Sequence, residues 1–541
     1  MKNFKITKNT IAAALLGLTL TATSCVNDLR QEPITEVTAA SLYKDFGNYK
    51  NLLAKLYGGL AVGGQSGGDG NGDIADIDGG FSNYMRLLFT LQEITTDEAV
   101  IGWNDGSLHE FHKMIWTPSN EFSNAMYYRL YTEIAFCNEF IKNTTDEKLN
   151  QNGISGANLD EAKVMRAEAQ FLRAQAYYHL LDLYGNVPFV DETTFGSVPQ
   201  QMKRAELFTY VENQLKDAEA GLKDPKTNEY GRADKAAAWS LLARLYLNAK
   251  VYSGTERYAD VITYTEKVIS AGYSLKQTIV QVPNESTPDP NDTMPKNISY
   301  ESLFLADNNL NNPENIFSIV YDGAKTQTNG GTTFLVHAAI GGDMVAADFG
   351  VNGGWGGLRT TKAFVQKFES SDKRGRFYTD GQTLEINDLG NFNDGYAFIK
   401  YKNLKSDGTP GIHDNWVETD LPVYRLADVY LMYAEAVLRG GGGNMATALG
   451  YVNALRTRAS ASAVSVLNLD FILDERSREL SWEMTRRTDL IRFGKFTSSA
   501  YLWPWKGNVK DGIAVGEYRN IFPIPTNDLV VNPNLVQNPG Y

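Results

Sequence analysis

The sequence predicts a mainly α protein, a stack of helix pairs carrying a loop-rich region with short β-strands. Residues 236–250 (AAAWSLLARLYLNAK) and 257–271 make one candidate helix pair over 36 residues. Residues 426–439 (LADVYLMYAEAVLR) and 445–459 make a second over 34, hinged by Gly440 to Gly443. Small Ala positions let paired helices approach, while Tyr and Leu fill the grooves. A period near 34 with this pattern is the tetratricopeptide signature. Such pairs stack because none buries its apolar face alone. The full Trp-Leu-Gly-Tyr consensus is absent, so the units are divergent. Plain antiparallel helix hairpins are the alternative. Between the pairs, residues 272–425 are rich in Asn, Asp, Gly and Pro. Only short strand-like runs interrupt them: Ile316–Tyr321, Thr333–Val336 and Ala397–Tyr401. A long irregular segment that keeps its aromatics is usually functional.

The chain opens with Lys2, Lys5 and Lys8, an apolar run from Ile11 to Ala22, and then Cys25. A basic start, a short apolar core and small residues before the cut are the layout of a secretory signal. Thr23-Ser24-Cys25 resembles a lipobox, with Ala22 where Leu is usual. Cys25 is therefore the expected lipid-attachment residue, and residues 1–24 the removed leader. No later run has the 18 apolar residues that a membrane span needs, so acyl chains would hold the protein to the membrane. Residues 26–40 read as a tether. Residues 41–61 read as a helix, with Leu42, Phe46, Tyr49, Leu53 and Leu56 at helical spacing. Residues 63–80, rich in Gly and Asp, read as a loop.

Residues 121–142 are helical by pattern. Residues 158–184 carry the strongest helical signal: Val164, Ala167, Phe171, Ala174, Tyr178 and Leu181 share a face. Asn158 is placed to cap that helix with Glu161 completing the box, and Gly185 stops it ahead of Pro188. The resulting layout is 1–24 leader, 25–271 helical, 272–425 loop-rich and ligand-facing, and 426–541 helical again.

The net charge is −13 over 541 residues. Loss of the leader removes three lysines and no acids, so 48 basic groups face 64 acidic ones, or −16. That balance argues against nucleic acid, which needs a basic surface. With Cys25 acylated, Cys137 has no disulfide partner, and the core alone must hold a chain long enough to supply one. Aromatic residues are plentiful, 29 Tyr, 25 Phe and 8 Trp, enough for both a core and exposed ring faces.

Several local patterns suggest chemistry and fail on context. Gly64-Gln65-Ser66-Gly67-Gly68 matches a nucleophile elbow, but that motif needs a strand before it and a helix after it. Asp69-Gly70-Asn71-Gly72-Asp73 starts like a calcium loop, yet Ile74 stands at position six and Gly80 at position twelve. Only a looser structural Ca²⁺ site would remain there. His109 and His112 are three apart, where a zincin needs four, and read as surface histidines. No Cys/His metal spacing and no phosphate loop is present, so no metal or cofactor is expected. The charges of 474–492 (Asp474, Glu475, Arg476, Glu479, Glu483, Arg487 and Arg492) lie largely at helical spacings. Glu483 and Arg487 form an i, i+4 pair, within either an ion-pair face or a partner-facing surface.

Four stretches, in order, resemble the SusD/RagB outer-membrane lipoproteins. They are MRAEAQFLRAQAYYHLLDLYGNVPFV (165–190), YRLADVYLMYAEAVLR (424–439), ERSRELSWEMTRRTDLIRFGKF (475–496) and IFPIPTNDLVVNPNLVQNPGY (521–541). The resemblance spans essentially the whole chain after Cys25. It implies a tetratricopeptide-like stack with a ligand-facing loop half. It implies a non-enzymatic surface lipoprotein that captures a nutrient, most often an oligosaccharide. It also implies a partner, a SusC-like TonB-dependent β-barrel in the outer membrane. Asp28, close behind Cys25, is similar to the acidic signal that sends such lipoproteins to the outer face.

A glycan site needs ring faces to stack on, with amides, carboxylates or Arg at the edges. Residues 100–116 (VIGWNDGSLHEFHKMIW) look like the starch-binding members' segment that carries a stacking Trp. The ligand role is carried to Trp103, with Asn104 and Asp105 beside it, and packing remains the other reading. Trp116 is read as core. VNGGWGGLRTTKAF offers Trp355 between glycines, flanked by Asn352 and Arg359. Tyr84, Tyr321 and Trp416 are further candidates whose rings also suit a core. A surface glycoside hydrolase, needing two carboxylates about 5–9.5 Å apart, and a protein-interaction scaffold are the competing functions.

Overall fold

The computed structural model describes residues 39–194, 196–283, 286 and 292–541. The leader, Cys25, Asp28 and the tether up to residue 38 lie outside the described residues. The protein is mainly α, as predicted. Helices Glu121–Asn143, Ala157–Leu183, Arg204–Gly221, Lys235–Leu247, Tyr258–Ser270, Leu426–Leu438 and Met445–Arg458 each pack on the helix before them. The last pair is closed by Tyr430 on Tyr451, whose rings stack 4.1 Å apart at 9°. Small residues on Lys235–Leu247, Ala236, Ala237, Ala238 and Ala243, are fully buried, which allows the close approach their pattern predicts. One hydrophobic cluster runs from Tyr43 to Leu535 and joins both ends of the described residues.

Local departures have local causes. The helix expected over 41–61 is broken, because the Asp45 side chain accepts from Gly47 N and sets a 3₁₀ turn at Phe46–Asn48. Regular helix begins only at Tyr49 and runs to Ala61. The long helix starts at Ala157, so Asn158 does not cap it. Gly156 holds the cap at φ 59°, where glycine is favoured. Glu161 instead pairs with Lys223 and Arg232 at 3.0 and 3.3 Å. Gly185, at φ 72°, ends the helix as expected, its N–H reaching Leu180 O at 3.0 Å.

The excursion from 272 to 425 is pinned at one ladder. Strand Asn315–Ile319 pairs antiparallel with Leu421–Arg425, which feeds directly into helix Leu426–Leu438. The strand expected over Ile316–Tyr321 is thus real, and that over Ala397–Tyr401 shortens to Ala397–Phe398. Thr333–Val336 is not a strand but part of helix Gly331–His337. Its β-branched residues are overruled by tertiary contacts: the segment is buried on all sides, and Thr332 Oγ1 donates to Thr419 O at 2.7 Å.

The C-terminal charges are not a surface. Glu475, Arg476, Glu479 and Arg487 are buried, so they are not free to face a partner. The Glu483–Arg487 pair does not form, because helix Leu469–Leu480 stops and the chain turns through Trp482 and Met484 at positive φ before Arg486. Glu483 instead meets Lys400 and Arg425, and Arg487 meets Asp182. Glu479 lies at the centre of a buried joint with Arg374, Arg425 and Arg458, while Glu314 bridges Arg425 and Arg458. These arginines hold the Glu479 carboxyl far below its ordinary range against the upward push of burial.

Candidate functional site

A two-residue ladder brings the two predicted indoles together. Val100–Ile101 pairs antiparallel with Leu358–Arg359, Val100 opposite Arg359 and Ile101 opposite Leu358. Gly102 N then donates to Gly357 O at 2.9 Å, which lays the 102–106 turn against the 352–357 turn. Trp103 lies directly on Gly357. A Cβ there would sit 2.4 Å from the indole Cε2, so only glycine fits beneath the ring. Trp103 Nε1–H donates to Trp355 O at 3.0 Å, and the two ring centroids are 6.3 Å apart at 45°. Both indoles are half-buried, while Asn104, Asp105 and Asn352 beside them are exposed.

The rings are held from behind. Trp355 stacks on His337 at 4.8 Å and 18°, and its N–H donates to His337 O at 2.7 Å. His337 Nδ1 lies 2.6 Å from Gly353 O, and Nε2 lies 3.2 Å from Asn415 O. Burial keeps this imidazole below its usual pKa, with both carbonyls opposing. Trp103 meets Phe81 at 6.5 Å and Phe334 at 6.1 Å, both edge-on. Arg86 lies among these rings, 4.0 Å from the Phe81 centroid, 4.6 Å from Phe334 and 5.5 Å from Trp103. Its Nη1 donates to Gly80 O at 2.8 Å and Asn329 O at 3.0 Å. Burial drives its pKa down to about 9, with Asp69, Asp105 and Asp78 opposing.

A third indole continues the surface. Asn352 N donates to Asp414 O at 3.0 Å, which joins the Trp355 turn to the 413–416 turn. Trp416 there is half-buried, with its Cη2 3.5 Å from where a Cβ on Gly68 would lie. Trp103, Trp355 and Trp416 thus come from three distant segments onto one connected set of turns. Sequence reasoning passed over Phe81, Arg86, Phe334 and His337. None sits in a recognisable motif, and only their place behind the indoles marks them.

Three predicted site residues face inward, and one histidine expected on the surface is buried. Arg359 is 1% exposed, and its guanidinium holds the carbonyls of Leu389, Asn391 and Asp394. It anchors that loop rather than facing a ligand. Tyr84 is fully buried, its hydroxyl 2.6 Å from His179 Nδ1. Tyr321 is 3% exposed, its ring end packed against Gly331. His112 is 2% exposed rather than on the surface, and burial lowers its pKa to about 3. Trp116 is core as expected, 4.7 Å from the Phe522 ring, its Nε1–H donating to Tyr541 Oη at 2.7 Å.

The glycine-rich 63–80 segment folds into a small hairpin, Gly64–Ser66 with Gly70–Gly72. Ser66 Oγ accepts from Asn71 Nδ2 at 3.0 Å within that hairpin, and only a three-residue 3₁₀ turn, Gly67–Asp69, follows it where a nucleophile elbow requires an α-helix. The two aspartates of the calcium-loop-like run both have protein partners. Asp69 accepts from Gly63 N, Thr328 Oγ1 and Asn329 N at 3.0, 3.0 and 2.7 Å. Asp73 pairs with Lys55 at 3.1 Å and Arg129 at 3.3 Å. Among the described residues, no three His, Cys, Asp or Glu side chains are grouped to hold a metal, and no helix is long and apolar enough to cross a membrane.

Fold and surface together define a class: a tetratricopeptide-like helical scaffold that presents a shelf of half-exposed indoles on its loop-rich side. The chain belongs to the SusD family. Residues 376–541 match the family described as SusD, and residues 80–247 match the one described as starch-binding, associating with outer membrane. The chain is similar to the starch-binding protein SusD of Bacteroides thetaiotaomicron, 34% identical with 99% of each chain covered. It is 24% identical to a SusD-like protein, P2, of Formosa agariphila over the full length of both. Among solved structures, the fold matches surface glycan-binding protein A of B. thetaiotaomicron in complex with laminarihexaose. That match has a TM-score of 0.68 and 21% identity, over 91% of this chain and 99% of the other.

Proposed function

We propose that the protein binds an oligosaccharide at the Trp103–Trp355 surface and passes it, unhydrolysed, to a SusC-like TonB-dependent β-barrel. The observation that carries this reading is the meeting of two half-exposed indoles from segments 252 residues apart in sequence. Exposed Asn104, Asp105 and Asn352 ring that pair with amide and carboxylate groups that suit sugar hydroxyls. The names borne by the relatives, starch-binding protein SusD and surface glycan-binding protein A, point the same way. Trp416 extends the surface and gives a longer chain a third ring to rest on. Cys25 is the anchor in this account, holding the body to the outer membrane with its loop half facing outward.

The test is retention of labelled oligosaccharides, starting with α-glucans and including β-1,3-glucans. Capture without new reducing ends supports the reading. Turnover would replace it with a hydrolase, and no binding of any glycan would leave a scaffold. Cys25→Ala should release the protein from the outer-membrane fraction; a variant that stays there contradicts the anchor. Co-purification of an outer-membrane barrel with the wild-type lipoprotein tests the partner, and its absence under mild extraction contradicts it.

A further inference from the structure

A second concavity lies away from the indoles. The hairpin of Ile279–Pro283 and Thr293–Asn297 forms one wall and residues 402–408 the other, enclosing about 660 Å³. Val280, Val282, Ile298, Leu305 and Leu404 give it aliphatic sides. None of its lining residues is aromatic, so it lacks the plates on which a neutral sugar stacks.

What it has is positive charge. Lys296, Lys402 and Lys405 all line it, in a chain whose net charge is −13. The acids nearby are already engaged. Glu301 pairs with Arg376 at 2.7 Å, Asp407 accepts from Thr409 N and Oγ1 at 2.9 and 2.6 Å, and Glu418 lies 3.7 Å from Lys405. Among the described residues, neither the Lys296 nor the Lys402 ammonium has a hydrogen bond or ion pair, and Lys402 is half-buried. Burial, then the Arg376 cation, push the Lys402 ammonium below its usual pKa, with Lys296 adding to the push and Glu301 opposing it. Asp348 opposes it as well, so the field is partly offset, but a half-buried ammonium with no direct ion-pair partner still gains from an incoming anion.

We propose that this groove is a second ligand site, for a saccharide unit carrying a carboxylate or sulfate. The Lys402 and Lys296 ammonium groups take the anion, and the aliphatic walls cover the C–H face of the ring. This rests on the glycan reading above, since it takes the same class of ligand, but it selects by charge where the indoles select by shape.

The test is calorimetric titration of the full chain with trigalacturonate, its methyl ester, a sulfated trisaccharide and inorganic sulfate. The acid should bind about fivefold tighter than the ester, in keeping with one partly exposed ion pair. Lys402→Gln should abolish that preference and Lys402→Arg should keep it, with thermal melting confirming that both fold. The carboxylate and sulfate arms show which anion is preferred. Equal binding of acid and ester overturns the proposal. So does a preference that survives Lys402→Gln, or sulfate alone binding as tightly as the sugars. The Trp103→Ala/Trp355→Ala double variant should retain the acid-over-ester ratio. Neutral glycan binding without an acid preference therefore sinks only the groove, and no saccharide binding at all sinks both.

Discussion

The joint around Glu479 and the shelf around Trp355 use polar groups in opposite ways. At the joint, Arg374, Arg425 and Arg458 converge on buried carboxylates, and Arg425 alone meets Glu314, Glu479 and Glu483 at 2.7–2.9 Å. At the shelf, neutral rings are held by glycine and by single backbone carbonyls, and keep part of their surface in water. The joint ties the loop-rich segment to the C-terminal helical region, since Glu314, Arg374 and Arg425 lie in the first and Arg458, Glu479 and Glu483 in the second. The difference teaches that permanence and recognition are separated in this molecule. Damage to one should leave the other measurable.

Acid should give the largest separation. Glu435, Asp428 and Asp97 are each held at about 2, by Arg492, Arg244 and Arg486 respectively, against burial. Their unfolded values are near 4. Folded values below unfolded ones give stability that is present above about pH 4.5 and lost as pH falls toward 2. Unfolding monitored by circular dichroism from pH 6 to 2 should show a steep loss in that window. A flat profile would mean that these pairs do not hold the fold. Next, Glu479→Gln removes the shared partner of three buried arginines and should cost about 3–5 kcal/mol in urea unfolding. A cost under about 1 kcal/mol would make the joint incidental.

The shelf should respond in binding instead. Trp103→Ala with Trp355→Ala should weaken glycan binding by about 2–3 kcal/mol, the scale of anchor side chains at an interface. Urea unfolding should change by less than the Glu479 variant does. A double variant that binds normally would move the site away from the indoles. Smallest of all, Gly357→Ala forces a methyl into the Trp103 ring, tilting it while leaving both indoles in place. About a tenfold loss of affinity with a near-native melting curve is expected, ~1.4 kcal/mol. Unchanged affinity would show that the ring's angle does not matter.

The helical half was readable because its information is local. The face of Val164, Phe171 and Tyr178 and the stop at Gly185 need no distant partner to be seen. The cap was misplaced because Gly156 reaches a positive φ that a pattern of side chains does not reveal. Thr333–Val336 misled because four apolar or β-branched residues fit either a strand or a buried helix. At the site, residue types were legible and directions were not. Trp103 and Trp355 were singled out separately, but nothing in either segment announces the ladder that joins them. Tyr84 and Arg359 have the right chemistry for a sugar and face inward, because which side of a short element meets the core is decided by its neighbours. The charges of 474–492 read as a face for a similar reason, since the arginine partners of Glu479 lie scattered from Arg374 to Arg458.

The central claim is that the indole shelf is where a glycan rests. A crystal structure with a bound oligosaccharide tests it most directly. The account predicts a sugar ring lying over Trp103 or Trp355 at van der Waals distance, about 3.5–4 Å, with hydroxyls toward Asn104, Asp105 or Asn352. An oligosaccharide ordered elsewhere on the molecule, with both indoles bare, would contradict it.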